Sequence, residues 1–128
     1  MNLRFSVYAV IAALLGGVSV AIGAFATHGV TDAHAKALLE TGVRYQFMHA
    51  TAAIAALVFW RWGAARARHA PPLFFAGALL FSGSLYALAC GAPRWAGAIT
   101  PLGGLALLAG WIVLAWAGLQ LARRGDLL

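Results

Sequence analysis

Between Phe5 and Thr27 the chain carries no charged side chain. Wound as a helix at ~1.5 Å per residue, that run reaches roughly 34 Å, enough to cross a hydrocarbon layer about 30 Å thick. A secretory signal peptide is the competing reading, because Arg4 precedes the run and Ala24-Phe25-Ala26 has the small-x-small form of a cleavage site. The run is longer than the ~7 to 15 residues of such a core, and Gly16, Gly17 and Gly23 interrupt it, so a retained first span over residues 5–27 is expected. Ala13, Gly17 and Ala21 recur at four-residue spacing. Such a stripe of small side chains is expected to let another helix approach closely, within the bundle or between subunits.

The remainder repeats the pattern. In 128 residues, 63% hydrophobic against 9% charged lies far from the soluble average and describes one membrane-embedded domain. Thr31-Asp32 offers a helix cap, followed by an amphipathic lead-in over 32–40 that continues into a second span, 41–60. A helix from Asp32 to Trp60 would be ~43 Å long, so its first turns are expected in the interface. Arg61 to Ala70 reads as a basic loop ended by Pro71-Pro72, and a third span follows over 73–91, interrupted by Ser82-Gly83-Ser84. Trp95 to Ile99 reads as irregular. Thr100 then caps a fourth span, 101–122, with Pro101 in its first turn where a missing N–H is harmless; the alternative is an earlier helix kinked at Pro101. The expected fold class is all-α: an antiparallel four-helix bundle integral to the membrane.

Nine Lys and Arg stand against Asp32, Glu40 and Asp126, a net charge of +6. A basic balance raises nucleic acid as a partner, but these residues sit at the ends of apolar runs and no nucleic-acid-binding pattern accompanies them, so none is expected. Arg4, Arg61, Arg66, Arg68, Arg123 and Arg124 share one side, with only Lys36, Arg44 and Arg94 on the other. This is expected to place both termini of a multi-pass protein in the cytoplasm. Trp60, Trp62 and Trp95 read as interface anchors.

Compared by depth, the polar residues gather toward the side opposite the termini: His28 at the end of the first span, Glu40, Arg44, Tyr45, Gln46 and His49 on the second, Ser82, Ser84 and Tyr86 on the third, and Thr100 opening the fourth. Polar groups in a bilayer are costly and need protein partners or enclosed water, so these ten residues form the candidate cluster or ligand site. At ~100° per residue, Glu40, Arg44 and Thr51 share one stripe and Gly42, Tyr45, Gln46 and His49 the opposite side. Leu39, Val43, Ala50, Ile54 and Leu57 fill an apolar sector, expected to face lipid while protein covers the other two. Glu40 and Arg44 are expected to pair at i,i+4; alternatively Arg44 holds an anion such as a lipid phosphate. His49 is expected to hydrogen-bond to Ser82, Ser84 or Tyr86. A proton carrier or haem ligand is the sharper reading, but His28 sits nearer the surface and His34 and His69 outside the membrane, leaving no second ligand at its depth. Cys90 is the single cysteine, expected to pack as a small buried hydrophobe; no cofactor, metal site or disulfide is expected.

Four motifs, in order, carry a likeness to a known family: Gly23-Ala24-Phe25-x-x-His28, the Glu40 to His49 stretch E-T-G-x-R-Y-Q-x-x-H, Leu80-Phe81-Ser82-Gly83-Ser84-Leu85-Tyr86, and Ile99-Thr100-Pro101-Leu102-Gly103-Gly104 with Ala109-Gly110-Trp111. Over essentially its whole length the chain resembles the YgdD/YwdK family of small membrane proteins. The resemblance implies four spans in a bacterial inner membrane and supplies no activity or catalytic residues. The expected role is non-enzymatic: a bundle organised by its polar cluster, binding membrane lipids, another copy of itself or a partner membrane protein. The alternative is a small proton-coupled transporter or channel acting as an oligomer.

Overall fold

Asn2 and Asp32 each open a helix by accepting a backbone N–H that would otherwise lack a partner: Asn2 Oδ1 from Arg4 at 3.0 Å, Asp32 Oδ2 from Ala35 at 2.8 Å. The computed structural model describes residues 2–125; Asp126, the third acidic residue, lies outside them. Four long helices occupy this range: α1 Leu3–Gly29, α2 Ala33–Arg61, α3 Ala70–Ala89 and α4 Ile99–Arg124. No strand occurs among the described residues.

The later two helices start differently from the first two. The 3-10 helices Ala65–His69 and Arg94–Ala98 run directly into α3 and α4, so neither has a side-chain cap. Pro71 and Pro72 therefore lie inside the first turn of α3 rather than ahead of it, and the basic loop and the stretch expected to be irregular are largely helical. Pro101 is likewise in the first turn of α4, where the absent N–H removes no intrahelical bond. Thr100 lies within that helix instead of capping it. At the other end of α2, Gly63 adopts φ +104°, a left-handed conformation that reverses the chain. Its carbonyl accepts from Arg124 Nη1 at 2.7 Å, tying the end of α4 to the α2–α3 connection.

The short connections make successive helices antiparallel. α1 packs on α2, α2 on α3 and α3 on α4, with narrower contacts between α2 and α4 and between α1 and α3. α2 and α3 thus form the centre, and α1 and α4 flank it. The core is built of small residues around one ring: Ala12, Ala52, Ala53, Ala56 and Ala70 with Phe74, Leu107 and Leu114.

Leu3–Gly29, Ala65–Ala89 and Arg94–Arg124 are each long and apolar enough to cross a membrane. α2 is equally long but its first half is polar; its place between α1 and α3 puts it in the same layer. Leu14, Val20, Leu79, Leu105 and Ile112, each 63–73% exposed, cover the outside with hydrocarbon, as suits a surface solvated by lipid tails. Ala13, Gly17 and Ala21 belong to this outer surface. Nothing lies within 4 Å of where a Cβ on Gly17 would stand, so the small-residue stripe is not used for close packing inside the bundle.

Candidate functional site

Gly42 and Gln46 lie one turn apart on α2, and the ring of Tyr86 from α3 lies across Gly42 where any Cβ would collide with it. From there the phenol donates to Gln46 Oε1 at 2.8 Å. Gln46 Nε2 in turn donates to the Leu15 carbonyl of α1 at 2.8 Å, so one amide joins three helices. Ser82, fully buried, donates to the Gly42 carbonyl at 2.6 Å. Ser19 of α1, 1% exposed, donates to the same Leu15 carbonyl at 2.8 Å and completes this end of the network.

The fourth helix joins through two contacts. Ser84 Oγ lies 2.9 Å from the Phe81 carbonyl and 2.5 Å from Thr100 Oγ1. Its single proton goes to the carbonyl, so Thr100 is the donor between the hydroxyls. His49 Nδ1 stands 2.6 Å from the Tyr45 carbonyl and Nε2 accepts from the indole N–H of Trp111 at 3.0 Å. A carbonyl only accepts and an indole only donates, so the imidazole is neutral, with its proton on Nδ1. Tyr45, Phe74 and Trp111 enclose the ring at centroid distances of 5.6–6.0 Å.

Of the ten candidate residues, this network joins Tyr45 (through its carbonyl), Gln46, His49, Ser82, Ser84, Tyr86 and Thr100. His28, Glu40 and Arg44 are exposed and stand apart from it. The expected i,i+4 ion pair is not formed: among the described residues no N···O approach within 4.0 Å joins the Glu40 carboxylate to the Arg44 guanidinium. The side of α2 carrying Gly42, Tyr45, Gln46 and His49 is covered by protein as expected, but the other two sectors differ from expectation. Leu39, Ala50 and Leu57 are buried at 6%, 3% and 4%, and Val43 lies against Gly23 of α1, so the apolar sector turns into the bundle except at Ile54, which is 47% exposed. The Glu40, Arg44 and Thr51 stripe turns outward beside Phe47 and Ile54. Thr51 tolerates that face because its hydroxyl donates to the Phe47 carbonyl one turn back, at 2.6 Å.

Two further expectations are corrected. The partners of His49 are Trp111 and the Tyr45 carbonyl, not Ser82, Ser84 or Tyr86. Cys90 is exposed at the end of α3 rather than buried. Sequence reasoning passed over Ser19 and Trp111. A signal for Trp111 existed: a tryptophan in the middle of a span is out of place for a residue that favours the membrane interface, and an indole N–H held away from water needs an acceptor. Ser19 gave none, since its hydroxyl is satisfied by its own helix. At the opposite end, Arg66 lies over the Trp116 ring at 4.0 Å. No group of three or more His, Cys, Asp or Glu placed to hold a metal occurs among the described residues.

The comparisons with known proteins agree with this outline. The family model described as "Protein of unknown function (DUF423)" matches residues 22–104. A UPF0382 membrane protein of Haemophilus influenzae is 40% identical over 116 residues, covering 88% of this chain and 94% of the relative. The UPF0382 inner membrane protein YgdD of Escherichia coli K12 is 34% identical over 98% of this chain and 97% of its own length. The UPF0382 membrane protein YwdK of Bacillus subtilis is 36% identical over 89% and 97% respectively. No solved structure matches the chain. An all-helical chain with membrane-length apolar helices, matched almost end to end by these proteins, belongs to the UPF0382 (DUF423) family of membrane proteins.

Proposed function

We propose that this inner-membrane protein is non-enzymatic, with a buried polar network that sets how its four helices meet and an outward charged stripe that engages a component of the membrane. The observation that carries the reading is the occupancy of the polar groups of His49 and Gln46. Both ring nitrogens of His49 and both ends of the Gln46 amide already have protein partners, which supports fixing helices over performing chemistry. A proton-coupled carrier built on His49 would have to break the Trp111 or the Tyr45 contact in each cycle. The charged stripe supports the second half of the proposal, since Glu40 and Arg44 face outward without each other.

The test is thermal unfolding and retained lipid in detergent. His49→Ala is expected to lower the midpoint with bound lipid unchanged, and Arg44→Ala to reduce bound lipid with a smaller effect on the midpoint. If neither variant differs from the parent in either measurement, the proposal fails. Proton-driven solute flux in proteoliposomes, lost in His49→Ala, would instead favour the carrier.

A further inference from the structure

α1 and α2 separate toward the lipid and leave a groove along their seam. Its widest part, about 590 Å³, lies between Ser19, Val20 and Gly23 of α1 and Arg44, Phe47 and Thr51 of α2. A second section of about 270 Å³ continues it from Val20 and Phe47 past Gly16 and Gly17 to Ile54. From Arg44 to Ile54 the groove runs ~15 Å along the helix axis. Its floor at Gly16 and Gly17 is bare, with nothing within 4 Å of an added Cβ. Its rims stand up on both sides: Val20 is 65% exposed, Phe47 51% and Ile54 47%.

That mostly apolar lining suits a hydrocarbon chain. An acyl chain reaches the floor and gains dispersion contacts with all three sides.

The polar end of the groove has matching order. Arg44 lines its widest section, and Glu40 is one turn nearer the α1–α2 connection, ~6 Å further from the middle of the layer. Both are exposed and not paired with one another, and unpaired charges on a lipid-facing surface call for counter-charges. A phospholipid carries its phosphate next to the chains and its headgroup beyond. A guanidinium fork meets a phosphate in two parallel hydrogen bonds. A carboxylate one turn further out meets a primary ammonium. A headgroup that ends in neutral hydroxyls, such as glycerol, offers Glu40 no counter-charge.

We propose that the α1–α2 seam is a binding site for an ammonium-bearing phospholipid of the phosphatidylethanolamine type: one acyl chain along the groove, phosphate on Arg44 and ammonium on Glu40. This deepens the functional reading above by naming the membrane component, and it rests on the outward stripe, not on the buried network.

The experiment uses the full chain in vesicles of equal parts phosphatidylethanolamine and phosphatidylglycerol, followed by release and native mass spectrometry. The parent is expected to retain phosphatidylethanolamine over phosphatidylglycerol by about tenfold, the size of one charge-assisted hydrogen bond. Arg44→Gln should lose both lipids. Glu40→Gln should keep a lipid but bring the preference close to unity. Gly16→Leu, placed where the floor is open, should expel the lipid with no fall in the unfolding midpoint. No preference in the parent, or retention unaffected by Arg44→Gln and Gly16→Leu, overturns the proposal. A dimer in the parent that Gly16→Leu disrupts also overturns it, by making a second copy the occupant. Ser82→Ala separates the two readings: a lowered midpoint with lipid preference intact supports the site independently of the network. Loss of preference in Ser82→Ala with an unchanged midpoint counts against both.

Discussion

The two flanking helices are attached to the central pair in opposite ways. On the α4 side, glycines are filled by the neighbour: a Cβ on Gly103 would run into the Phe81 backbone, one on Gly110 into the Phe74 ring at 2.5 Å, and one on Gly77 into Leu107 at 2.5 Å. Backbones approach closely there, and hydroxyl and indole contacts bridge the join. On the α1 side, Gly16 and Gly17 face open space. Only Ala12, Ser19 and Ala26 of α1 are buried, and among the described side chains only Gln46 reaches across to hydrogen-bond to its backbone. Glycine in a membrane helix therefore has two uses in one molecule: contact between helices where a partner fills the space, and a recess in the surface where none does.

Substitutions at those glycines should separate the two uses most sharply. Gly103→Ala is expected to lower stability by about 3 kcal/mol, because backbone cannot move aside as a side-chain end can. An unchanged unfolding midpoint by circular dichroism in micelles would mean that α3 and α4 are not held as close as they stand. Gly110→Ala should have a smaller effect, about 1–2 kcal/mol, since the Phe74 ring has some freedom to shift. Gln46→Leu, which removes the amide linking α1, α2 and α3, should follow at about 1 kcal/mol and raise amide exchange in α1 before α3 or α4. Uniform exchange across all helices would erase the contrast drawn above. Trp111→Phe should cost about 0.6 kcal/mol in the same unfolding measurement, the ring packing remaining while the donor to His49 is lost. At the bottom of the scale, Gly17→Ala should raise the midpoint slightly, by roughly 0.5 kcal/mol of added helix propensity, because nothing opposes the methyl.

The helices themselves were legible because the signals for them are local. The uncharged run in α1, the Asp32 cap and the Pro101 start each depend on a few consecutive residues and on the thickness of a bilayer. The face of α2 was misjudged for a physical reason. Periodicity gives the angle between Arg44 and Gln46 on one helix but not which neighbour covers either. In water, hydrophobicity would identify the buried face; in lipid the surroundings are as apolar as the core, so Leu57 carries no such information. The Glu40 and Arg44 spacing permits an ion pair without requiring one, because two long side chains on an outward face have other directions to take. Trp111 lies 62 positions from His49, a contact that no short-range pattern can contain.

The residue order alone determined that this chain is helical, that it lies in a membrane, and that Gln46, His49, Ser82, Ser84, Tyr86 and Thr100 require partners, because bilayer thickness and desolvation act on each segment separately. Only the tertiary structure decided which partners those are, that Arg44 faces outward at the head of a groove, and that glycines 16 and 103 do opposite things. Those outcomes depend on the rotation of each helix about its own axis, and that angle is set by the closest approach of neighbouring backbones.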